Sequence, residues 1–123
     1  MLHWHERERV AGWQEAAAAG DTEAMLHLAK AAKHSHHPDA AAETEHWLRS
    51  AADLGNLEAV HKLGVMLCRR GEQEDGEALV QRAAVNGHQD AIAMMGQFCE
   101  RRGDHAGADA WFCKIAADDD SVS

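Results

Sequence analysis

Apolar and small residues recur along this chain in two kinds of helical stripe, and the two kinds alternate. Three stretches share one pattern, Ala-Ala-x-x-Gly followed by Ala and then by a large apolar residue: Ala16 to Ala29, Ala51 to Gly64 and Ala83 to Gly96. With the glycine of each copy (Gly20, Gly55, Gly87) set to zero, offset +4 holds Ala24, Ala59 and Ala91, and +5 holds Met25, Val60 and Ile92. Offset +8 holds Leu28, Leu63 and Met95; +9 holds Ala29, Gly64 and Gly96; +12 holds Ala32, Leu67 and Cys99. These offsets trace one face of an α-helix, here termed helix A. The small residue at +9 allows a neighbouring helix to approach closely. A second stripe precedes each glycine: Trp47-Leu48 with Ala51-Ala52, Leu79-Val80 with Ala83-Ala84, and Trp111-Phe112 with Ile115-Ala116. In the first copy the aromatic, Trp13, is displaced by one. Its spacing again defines a helical face, here termed helix B.

The turns between the stripes are equally patterned. Gly20, Gly55 and Gly87 fall where a helix ends on a left-handed residue. Asp21 and Asn56 follow as N-caps for the next helix, and Asp104 plays that part after Gly103. The connection after the first helix A is longer, His34-Ser35-His36-His37-Pro38-Asp39, and Pro38 suits the first turn of the next helix. The pattern therefore predicts seven helices, near residues 5–19, 21–34, 39–54, 56–70, 73–86, 88–102 and 105–117, in a single domain over 1–117. Residues 118–123, with Asp118, Asp119 and Asp120, are expected to form a disordered acidic tail. One helix pair cannot bury its own apolar face, so the copies must stack.

Composition narrows the functional classes. Ala dominates the apolar share, aromatics are few and Pro38 is the single proline, which favours packed helices over a sheet. The net charge of −9 argues against nucleic acid and anionic membrane as partners and leaves a basic protein or peptide compatible. No apolar segment reaches membrane-spanning length, and the first ten residues are charged where a signal peptide is apolar. Cys68, Cys99 and Cys113 lack metal-type spacing and read as reduced thiols, so a cytoplasmic location is expected.

These residues resemble the Sel1-like repeat family, which is related to tetratricopeptide repeats. Trp47, Ala51, Ala52, Gly55, Ala59, Leu63, Gly64 and Gly71 fit its pattern in register. The copy from Leu79 to Gly103 departs at Leu79 and Met95, the first copy at Trp13 and Ala29, and the fourth stops at Ala116 without a turn glycine. The resemblance implies an all-α fold, an α/α superhelical solenoid of about three helix-turn-helix repeats. It also implies a protein-interaction adaptor or scaffold that is not an enzyme and carries no cofactor. In the tetratricopeptide superhelix helix A lines the concave face. Transferred by the shared Leu-Gly, that relation directs offsets +3, +6, +10 and +13 toward a partner: Glu23, Leu26, Lys30 and Lys33; Glu58, His61, Val65 and Cys68; Asp90, Ala93, Gln97 and Glu100. Glu23, Glu58 and Asp90 would form an acidic row suited to a basic segment. The competing reading is that these are helix N-terminal acids favoured by the dipole.

Three further features admit a function. Arg69-Arg70 and Arg101-Arg102 repeat at the ends of two helices A, where cations complement the free carbonyls or bind an anion. Among ten histidines, His34, His36 and His37 with Asp39 could gather around Zn²⁺ or Ni²⁺, which makes a metal-binding protein the alternative function. Trp111, Phe112 and Ile115 lie on a last helix B that no helix A follows, so weak homodimerisation through this C-terminal helix is expected.

Overall fold

A computed structural model describes the backbone of residues 2–36 and 38–122 and the side chains of residues 9–36 and 38–114. The fold is all-α, with no strand among the described residues. Its helices are α1 (Leu2–Ala18), α2 (Thr22–Lys33), α3 (Ala40–Asp53), α4 (Leu57–Arg69), α5 (Gln73–Val85), α6 (Gln89–Arg101) and α7 (His105–Val122). The bounds of α2 to α6 lie within one residue of those read from the stripes. The α7 backbone continues past residue 117, because no Gly or Pro follows Gly107 to stop it. Of the tail expected at 118–123, Ser123 and all the side chains lie outside the described residues.

The helices gather into two compact units, residues 1–59 and 60–123. In the first, α1 packs on α2 and α2 on α3. Its core is built from Ala17, Ala24, Met25, Leu28, Ala29, Ala32, Leu48, Ala51, Ala52 and Ala59. Among the described residues one polar side chain joins it: Thr44, 8% exposed, whose hydroxyl donates to the Ala40 carbonyl at 2.7 Å. Asn56 Nδ2 donates to Thr22 Oγ1 at 3.0 Å and so links the starts of successive helices A.

In the second unit α5 packs on α6 and α6 on α7. Val60, Val80 and Ile92 are its most deeply buried large side chains, each worth about 1.5–3 kcal/mol on removal from water. The small residues at +9 act as the stripes predict. A Cβ on Gly64 would stand 2.7 Å from the Gly76 carbonyl oxygen and 2.8 Å from Val80 Cγ2. One on Gly96 would stand 2.5 Å from the Phe112 ring. At the first of these crossings, backbone of α4 meets backbone of α5, because Gly76 is small as well. Thr44 and Ala108 occupy the position of Gly76 in the neighbouring copies, and both are buried. The helices B α3, α5 and α7 therefore carry a small position of their own, which the stripes did not reveal, whereas α1 has the exposed Arg9 there.

Five connections of three residues share one hydrogen-bond pattern. At Gly87 the amide donates to the Ala84 carbonyl and the following His88 amide to the Ala83 carbonyl, each at 3.0 Å. Gly87 itself has φ +96°, where a side chain would be strained. The same pair of bonds recurs at Gly20, Gly55, Gly71 and Gly103.

Candidate functional site

The face separation on which the partner residues depend is present in every helix A. Offsets +4, +5, +8, +9 and +12 are buried in all three copies. The outward offsets are not. In the first unit Glu23, Lys30 and Lys33 on α2 are exposed, Leu26 is half-buried, and Glu58 is exposed at the start of α4. In the second unit His61, Val65 and Cys68 on α4 and Ala93 on α6 are half-buried, while Asp90, Gln97 and Glu100 on α6 are exposed. Glu23, Glu58 and Asp90 each stand in the first turn of their helix, where the positive end of the dipole stabilises a carboxylate.

The second unit brings His61 of α4 against His88, which sequence reading had passed over. Their rings stack with centroids 4.9 Å apart and planes 29° from parallel. His88 is also the N-cap of α6: with φ −71° and ψ 115° it stands outside the helix, and its Nδ1 accepts the Ala91 amide at 3.2 Å. Accepting there requires a bare Nδ1, so the neutral ring carries its proton on Nε2. The signal that would have found it is register. The residue after the turn glycine is Asp21, Asn56, Glu72, His88 or Asp104, and all of these but Glu72 accept an amide of their own helix through the side chain. His27, likewise unremarked in the sequence, stacks on Trp13 at 4.9 Å and 12°.

A mixed cluster lies near the other end of α4 and α6. Arg102 forms an ion pair with Glu77 of α5 and donates from Nη2 to Cys99 Sγ at 3.8 Å. The guanidinium is held in its charged form, chiefly by its hydrogen bond to Glu77 and then by that carboxylate's charge. Burial pushes the Cys68 thiol up, and the negative charge of Glu77 adds to the shift. Cys68 is therefore a protonated thiol at neutral pH, the opposite of an activated nucleophile. Arg70 is also engaged, its Nε donating to Glu72 at 2.6 Å. One member of each arginine pair is thus matched to a carboxylate, which weakens an anion-binding reading.

In the metal-type loop His34, His36 and Asp39 are exposed, and His37 lies outside the described residues. His34 closes α2 through its backbone amide. Among the described residues no group of three or more His, Cys, Asp or Glu side chains is placed to hold a metal ion. On α7 Trp111 and Phe112 are half-buried, and Lys114 Nζ lies 4.7 Å from the Trp111 ring centroid; the Ile115 side chain is outside the described residues. No helix among the described residues is long and apolar enough to cross a membrane. No family model matches the sequence, and neither does any curated protein.

Proposed function

We propose that this chain is a Sel1-like repeat adaptor of the cytoplasm, a solenoid of about three repeats that binds a basic protein or peptide through its helix A residues. One observation carries the reading. The positions shared between copies are buried or close the turns, whereas Glu23, Lys30, Lys33, Glu58, Asp90, Gln97 and Glu100 differ between copies or point outward and are exposed. A surface assembled in this way holds its fold constant and leaves recognition to variable side chains. The excess of acid over base in the chain favours a cationic partner.

The test is capture of the partner from the native host, followed by its titration against the wild type and a variant with Glu23→Ala, Glu58→Ala and Asp90→Ala. Three charge-assisted contacts at about 0.2–1 kcal/mol each predict roughly tenfold weaker binding. Equal affinity of the two proteins would reject the acidic row as the recognition element.

A further inference from the structure

Among the described residues, the start of α6 differs from the start of every other side-chain-capped helix. Asp21, Asn56 and Asp104 cap with carboxylate or amide oxygens, which keep their accepting character across the physiological pH range. His88 caps with a nitrogen lone pair. An imidazole ordinarily takes up a proton near pH 6.5, and the imidazolium has no acceptor. We propose that His61 and His88 form a proton-sensitive catch on the start of α6, closed when His88 is neutral and opened by acid.

Three effects act in the same direction. Protonation at Nδ1 deletes the acceptor of the Ala91 amide and leaves that donor without its cap. It also places a cation at the N-terminal, positive end of a helix dipole. Finally, it charges a ring stacked 4.9 Å from a second imidazole, so a proton on either ring opposes a proton on the other.

Other titratable residues stand on the helices of this unit. From α4 the titratable group facing His88 is His61, with Glu58 and Lys62 flanking it along that helix. From α5 the approach ends in uncharged Asn86 and Gly87, with exposed Arg82 one turn earlier. On α6 the first turn holds the exposed Asp90. α7, which packs on α6, carries the exposed Lys114 among its described side chains.

The catch sits on a junction. The His88 amide closes the end of α5 by donating to the Ala83 carbonyl, while its side chain opens α6. Releasing the side chain therefore loosens a turn that two helices share.

The molecule contains its own control. Asn56 Oδ1 accepts the Ala59 amide at 2.9 Å in the same register, and amide side chains do not titrate here. The experiment is hydrogen exchange of the full chain followed by NMR between pH 7.5 and 5.5, with the protection of the Ala91 amide expressed as a ratio to that of Ala59. The ratio cancels the intrinsic pH dependence of exchange. It is expected to fall about fivefold in the wild type, the equilibrium equivalent of losing one cap. It should stay constant in His88→Asn, which keeps a cap that cannot be protonated, and fall less steeply in His61→Ala. A wild-type ratio that does not move overturns the proposal, and so does an equal fall in His88→Asn. The wild-type measurement decides alone if a variant does not fold.

Discussion

The three thiols of this chain stand in different surroundings, and the differences have chemical consequences. Cys113 is exposed, Cys99 is buried beside the Arg102 guanidinium, and Cys68 is half-buried near Glu77. Burial and the Glu77 charge both favour the protonated form of Cys68. Alkylation by iodoacetamide near pH 8 is expected to label Cys113 first and Cys68 at least about tenfold more slowly, as peptide mapping will read. The same shift has a stability counterpart. A thiol whose folded value is raised stabilises the fold fully below the ordinary thiol range, about pH 8.5, and that contribution is lost as pH rises through the raised value. Urea midpoints should therefore fall between pH 8 and 10 in the wild type and fall less in Cys68→Ala. A wild type with no greater loss than the variant contradicts this assignment.

Helices in this protein are positioned by where side chains are missing as much as by where they are large. Gly76→Ala would drive a Cβ to 2.5 Å from the Gly64 carbonyl oxygen and 2.8 Å from the Cys68 amide nitrogen, contacts with backbone that no rotamer change relieves. Overpacking of this kind costs about 1–3 kcal/mol, more than the roughly 1 kcal/mol by which Ala outperforms Gly within a helix. Gly12 supplies the contrast, because a Cβ there meets nothing within 4 Å on α1. Gly12→Ala should stabilise by about 0.5–1 kcal/mol. Opposite shifts of the two urea midpoints are the expected result, and shifts of the same sign would contradict it. The periodicity of apolar residues made both faces of each helix legible, since burial alone produces it. Gly76 and His88 escaped because their roles are relational: one depends on which backbone lies opposite, the other on a side chain serving as an acceptor where Asp or Asn is usual. The outward positions of helix A were legible as lying off the core, although Leu26, His61, Val65, Cys68 and Ala93 are half-buried rather than exposed; their chemistry varies from copy to copy, and nothing in a period encodes what they meet.

Over the whole molecule, acidic residues outnumber basic ones, 21 to 12 without counting histidine. Recognition of a cationic partner by such a surface should depend on ionic strength, because exposed charges separated by more than about 10 Å are screened at 0.1 M salt. Raising salt from 50 to 500 mM is expected to weaken binding about tenfold, mostly through slower association, and a salt-independent affinity would point to an apolar contact instead. The glycine turns have a bearing on ancestry as well. In Gly20-Asp21, Gly55-Asn56, Gly87-His88 and Gly103-Asp104 the same dipeptide satisfies the carbonyls that end one helix and an amide that begins the next. A gene segment copied from one such glycine to the next carries both halves of the junction with it. Duplication at those breakpoints lengthens the chain without orphaning a backbone group, whereas a break inside a helix leaves several. Growth of this protein by copying is therefore easiest at its glycines.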